Sequence, residues 1–160
     1  MISIQNSEVT VETVLPMRVA CLKVISVSPE QDGRERLNQW TSAIGHLPGS
    51  RKFGFDVEVS PAQAKAGLRG YEVWETVLET TQASGEITIR NFPGGLYAVM
   101  NLDHCFEDAF KLIPDGWKDL HNWVIQSQEY QSAGHQWFEE VLPTEYGETL
   151  KLYHPVMRRT

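Results

Sequence analysis

The residues best placed to do chemistry are glutamates set two positions from tryptophans. Glu72 precedes Trp74 at this spacing, and Glu139 follows Trp137. In an extended strand, residues i and i+2 point to the same side, so each pair puts an indole beside a carboxylate. That makes one wall of an aromatic box with a charged end. It suits an aromatic or cationic organic molecule, because ring-face attraction and counter-charge act together. The same spacing also fits tryptophans that fill a core beside glutamates that face water. Glu139-Glu140 adds an ambiguity of its own, because neighbours in a strand point apart and only one can face a given cleft. The apolar neighbours Phe138 and Val141 leave the choice open.

Other chemistries lack their residues. There is no GxGxxG after a strand, no Walker loop, no HExxH and no GxSxG. His46, His104, His121, His135 and His154 do not fall at metal-ligand spacing, so no metal and no cofactor is expected. Asp103-His104 precedes Cys105, but sequence neighbours in a strand diverge, and thiol activation needs a base adjacent in space. Cys21 and Cys105 are too few and too distant for a disulfide framework, and Cys21 reads as a buried free thiol.

A chain of 160 residues that is 41% hydrophobic and 22% charged has ordinary globular composition. At this length a domain buries roughly 70% of its unfolded surface. The net charge is −7, and the 14 basic residues are scattered, with no cluster beyond Arg158-Arg159. That balance argues against nucleic-acid binding and mildly favours a cationic ligand. Apolar runs fall far short of the ~20 residues of a membrane span. The start of the chain has no basic, apolar, small-residue progression, so no signal peptide is expected and the location is expected to be cytoplasmic.

Elements to position these residues follow from periodicity. Val9, Val11 and Thr13 alternate, and Met17–Val27 is a β-rich stretch beyond Pro16. Ser28-Pro29-Glu30-Gln31 is a helix start with capping-box spacing; Leu37, Trp40, Thr41 and Ile44 trace its face, and Gly45 stops it. Phe53–Val59 and Tyr71–Val77 alternate as strands, with a capped, Ala-rich turn at Ser60–Gly67 between them. Polar residues Thr80–Gly85 form a joint. Then Glu86–Arg90 alternates, Asn91–Gly95 is turn chemistry, and Leu96–Leu102 is a strand. Phe106, Phe110, Ile113, Trp117, Leu120 and Val124 form one helical stripe, kinked or split at Pro114. Gln136–Leu142 and Glu148–Val156 read as a closing strand pair around Pro143–Gly147. The order strand, helix, strand, strand thus occurs twice. It predicts one α+β domain over residues 1–160, with halves of about 8–80 and 85–157 and two main helices on a mixed antiparallel sheet. A cleft between such halves is a natural ligand site.

Several segments together resemble the GyrI-like small-molecule-binding family, which includes effector-binding domains of AraC-type regulators and stand-alone gyrase inhibitory proteins. They are Gly70-Tyr71-Glu72-Val73-Trp74, Phe92-Pro93-Gly94-Gly95-Leu96-Tyr97-Ala98-Val99, Trp117–Trp123 with its W-x-x-L-x-x-W character, Phe138-Glu139-Glu140 and Leu152–Val156. The resemblance implies a duplicated strand-helix-strand-strand fold with pseudo-twofold symmetry and a central ligand cleft. It implies that Glu139, after Phe138 in an F-E-x-Y-like segment, lies at the bottom of that cleft. Val141 stands where the family pattern has an aromatic. Tyr71 and Tyr97 fall on motif tyrosines, and Trp123 on a helix tryptophan that helps line the cleft; Trp74 is added by strand geometry. The ligand partner implied is a small, amphipathic, aromatic or cationic organic molecule, in a sensor, effector-binding or drug-sequestering role. A hydrolase opening cyclopropane-containing natural products, with Glu139 activating water, is a second expectation. Inhibition of a protein partner, as by the gyrase inhibitory proteins, is a third. No helix-turn-helix is present, so the chain is expected to read no DNA itself.

Overall fold

Ser28 and Pro29 start the first helix where expected, and α1 runs Pro29–Ile44 until Gly45 takes a φ of 91°. Ser28 makes no side-chain cap, however; its carbonyl accepts from the Asp32 amide at 3.0 Å instead. The reciprocal capping box forms at Ser60 and Gln63, opening the short helix α2 (Pro61–Lys65). The computed structural model describes residues 8–144 and 147–160. Its strands are β1 (Val9–Val14), β2 (Met17–Ser26), β3 (Lys52–Val57), β4 (Arg69–Thr76), β5 (Thr88–Phe92), β6 (Gly95–Leu102), β7 (Tyr130–Ser132), β8 (Phe138–Thr144) and β9 (Gly147–Arg158). The chain is α+β, with antiparallel strand pairing throughout the ladders below and two long helices.

It divides into two compact units, Pro16–Pro93 and Met1–Leu15 with Gly94–Thr160. The units interleave along the chain. β1 pairs with β6 of the later unit, and β5 pairs with β2 of the earlier one. Each unit therefore has four strands in one antiparallel sheet with a long helix against it.

In the earlier unit the strand order is β3-β4-β2-β5. Ala20, Leu22 and Val24 on β2 and Tyr71 and Val73 on β4 form the buried face under Leu37 of α1, with Trp40 packed on the edge. Every fourth residue of α1, Pro29, Gly33, Leu37 and Thr41, is buried, as one helical face requires. Gly54 on β3 leaves the space that the Tyr71 ring fills; a Cβ there would collide with the ring and its hydroxyl.

In the later unit the order is β1-β6-β9-β8, with β7 also on β9. Its core joins Ala98, Met100, Leu102, Leu150, Leu152 and Val156 to Leu120 and Val124 of α3 (Ala109–Gln126). A 3₁₀ turn at Cys105–Asp108 precedes α3, and Pro114 lies inside the helix. The expected stripe is buried only over its second half. Phe106 and Phe110 are exposed, and the inner face begins at Gly116, where a Cβ would come within 2.9 Å of Leu102.

Candidate functional site

Strand parity sorts the later unit's residues onto two faces. Leu150, Leu152, Ala98 and Met100 point to α3, so Tyr97, Val99 and Tyr153 point away from it. Phe138 pairs with Tyr153 and Glu140 with Lys151, which places both on this second face. Three rings gather there: Phe138 and Tyr153 at 4.9 Å, Tyr97 and Phe138 at 5.1 Å, and Tyr97 and Tyr153 at 5.8 Å, edge to face. Against them lies the Glu140 carboxylate, only 3% exposed, accepting a 2.6 Å hydrogen bond from the Tyr153 hydroxyl. Lys151 reaches Glu12 at 3.4 Å and sits 5.6 Å over the Tyr153 ring. Ionisable side chains on this face thus include the carboxylates of Glu12 and Glu140 and the ammonium of Lys151. Burial pushes the Tyr97 phenol above its ordinary range, so it stays a neutral donor, and it donates to the Gln136 carbonyl.

Glu139 takes the opposite side. It pairs with Leu152, whose side chain belongs to the α3-facing core, and its charge is among those that raise the Cys105 thiol, after burial. Trp137 also lies on that side, edge-on to Trp117 of α3 at 5.3 Å and 6.5 Å from the His154 ring. Trp123 flanks the α3 core. The later unit therefore brings Tyr97 and Phe138 together with Glu140, and gathers Glu139, Trp137 and Trp123 on the helix-covered face. His154 Nδ1 meets the Pro155 carbonyl at 2.9 Å and must donate there. That leaves Nε2 to accept from His121 Nδ1, also at 2.9 Å.

In the earlier unit the same parity puts Glu72 and Trp74 on the face away from α1, while Tyr71 joins the core beneath the helix. Trp74 donates from Nε1 to Glu72 at 2.7 Å and is braced by Phe55 at 5.3 Å and Phe92 at 5.4 Å. The expected indole–carboxylate wall is formed, with Arg90 as a third member at 3.2 Å from Glu72. Cys21, on the same face, has its thiol pushed up to about 12 by burial, then by Glu72.

One further cluster carried no sequence signal. Ser42 Oγ lies 2.9 Å from His46 Nε2, and His46 Nδ1 lies 2.8 Å from Glu75, which is 2% exposed and within 3.2 Å of the Thr41 hydroxyl. The connectivity is that of a serine–histidine–acid relay. Its position defeats that chemistry. Ser42 sits in the last turn of α1, where carbonyls point outward, and a developing oxyanion needs N–H groups. The cluster instead ties the end of α1 to β4 and satisfies a buried carboxylate.

Among the described residues no group of three histidine, cysteine or acidic side chains could hold a metal ion, and no helix is long and apolar enough to cross a membrane.

The fold is that of the GyrI-like small-molecule-binding proteins. The chain belongs to the family of integron-associated effector binding proteins, whose profile matches residues 10–156. Small-molecule binding is accordingly its general function. Solved structures agree in fold. The EcmrR C-terminal domain superposes with a TM-score of 0.67 at 12% identity, covering 96% of this chain and 99% of that one. EcmrR in its DNA complex gives 0.74 at 11% identity over 95% of this chain, which spans only 58% of the EcmrR chain. SAV2435 bound to tetraphenylphosphonium gives 0.54 at 12% identity, with 94% of each chain covered. No curated protein sequence is a significant match.

Proposed function

We propose that the chain binds an amphipathic organic cation, as a sensor or sequestering module, with Glu140 as the ligand's counter-ion. The observation that carries this is Glu140, 3% exposed, whose carboxylate accepts from the Tyr153 hydroxyl while the Tyr153 ring packs on Phe138 and Tyr97. Keeping a carboxylate away from water is costly, and a cation brought against it recovers part of that cost. A neutral analogue recovers none. Aromatic faces add attraction for the same cation. The resemblance implies this role for Glu139; what supports Glu140 is that it shares a face with the three rings, whereas Glu139 is on the α3-facing side.

Tetraphenylphosphonium, found on SAV2435, is a suitable probe, although that likeness extends to the fold alone. Calorimetric titration with this cation and with neutral triphenylphosphine oxide tests the reading. Glu140→Gln is expected to weaken cation binding by about tenfold or more, on the scale of 1.4 kcal/mol per decade. Affinity for the neutral analogue should hardly move, and Glu139→Gln should bind like the parent. Equal cation affinity in Glu140→Gln removes the counter-ion role; a loss seen only in Glu139→Gln returns it to Glu139.

A further inference from the structure

On the earlier unit's face away from α1, Arg90 extends from β5 across β2 to reach two β4 side chains. Its guanidinium lies 5.8 Å over the Trp74 ring and 3.2 Å from the Glu72 carboxylate. Everything it meets is braced. The indole is held edge-on by Phe55 and tilted against Phe92, and its N–H fixes Glu72 at 2.7 Å. Arg90 itself is the loose part, with 56% of its side chain exposed against 14% for Glu72. The Cys21 thiol, on the same face between these strands, feels both charges, raised by Glu72 and lowered by Arg90.

We propose that Arg90 is a built-in occupant of a cation site formed by Trp74 and Glu72, and that a planar, delocalised organic cation such as an aryl amidinium or guanidinium takes its place. This rests on the reading of the chain as an organic-cation binder. The ligand class follows from what Arg90 shows the site will hold: a flat cation that lies on an indole face and turns N–H groups to a carboxylate. An ammonium offers the charge without the plane. The occupant is easy to displace, since exposed ion pairs and exposed cation–π contacts are both weak. Arg90 therefore lowers the apparent affinity for every competing cation and sets a threshold below which the site stays self-filled.

The test is calorimetric titration of the full chain with benzamidine, with neutral benzamide as control and tetraphenylphosphonium as a second cation. Removing a competitor held this weakly is expected to tighten benzamidine binding by about 3- to 10-fold in Arg90→Gln. Arg90→Lys, which keeps the charge and loses the planar fork, should fall between Arg90→Gln and the parent. Adding Glu72→Gln to Arg90→Gln should abolish the gain, and benzamide should not respond to any of them. Circular dichroism confirms that each variant is folded. If the parent and Arg90→Gln bind benzamidine alike, or Arg90→Gln binds it less well, Arg90 is no competitor and the inference fails alone. If tetraphenylphosphonium binds the parent but benzamidine binds neither protein, the inference again fails alone. If no cation binds any form, the parent reading fails with it.

Discussion

Tyr153 commits its hydroxyl to Glu140 while its ring packs on Phe138 and Tyr97, so one side chain serves both the polar and the apolar part of the face. The two contributions separate cleanly by mutation. Tyr153→Phe keeps the ring contacts and leaves a buried carboxylate short of one donor. The loss of one donor from a buried group costs about 1–3 kcal/mol at most. Urea unfolding is expected to show a destabilisation up to this size, and less of it when Glu140→Gln is already present, because the acceptor that loses a donor is then uncharged. Additive effects in the double variant would show that the hydroxyl and the carboxylate do not act on one another. At this scale the sequence was half legible. Spacing put Glu72 and Trp74 on one face but left open whether they form a wall or a core residue beside a solvent-facing glutamate. The 2.7 Å hydrogen bond between them decides it. Glu139 and Glu140 were indistinguishable because alternation says that neighbours part without saying which way. Only the register of β8 on β9, Glu140 opposite Lys151 and Glu139 opposite Leu152, separates them. Arg90 gave no signal at all, since its contacts cross an intervening strand.

Elements were easier to read than their faces. α1 was visible from Ser28-Pro29 to Gly45, and β3, β4, β6, β8 and β9 from alternation, because burial on one side of a helix or sheet imposes a period on the residues. Two things escaped. The stripe from Phe106 to Val124 looked continuous, yet Phe110 is 85% exposed, because periodicity records which residues align and not how far a neighbouring sheet extends beneath them. The exchange of β1 and β5 between units was hidden too, since pairing over long sequence separation leaves no local trace. The packing of β9 on α3 makes a pH dependence. Burial, then the charge of His121, holds the His154 imidazole below its ordinary value of 6.5. A group whose folded pKa is depressed contributes stability above its unfolded value and loses it as pH falls, because the unfolded chain takes the proton first. Stability should therefore decline as pH drops through 6.5, and His154→Gln should decline less. Urea midpoints at about pH 7.5 and about pH 5.5 for both proteins measure the difference; equal declines would locate the titration elsewhere.

For the molecule as a whole, 21 acidic residues against 14 basic ones give a net charge of −7, a field that acts on any cation before it reaches an aromatic face. Two electrostatic contributions to cation binding then differ in range. The long-range part is screened over a Debye length of ~10 Å at 0.1 M salt and ~3 Å at 1 M. The proposed contact with Glu140, a residue only 3% exposed, would be screened much less. Salt should consequently act on arrival more than on residence, since diffuse charge steers encounter whereas buried contacts govern escape. For tetraphenylphosphonium the association rate is expected to fall as salt rises, with the dissociation rate nearly constant. Glu140→Gln should do the reverse, raising the dissociation rate and leaving most of the salt slope in place, because it removes only one of many acidic charges. Stopped-flow kinetics from about 0.02 to about 0.5 M sodium chloride spans the range over which screening changes most. A salt-independent association rate, or an equal response from a neutral analogue, would show that the acidic surface plays no part in drawing the ligand in.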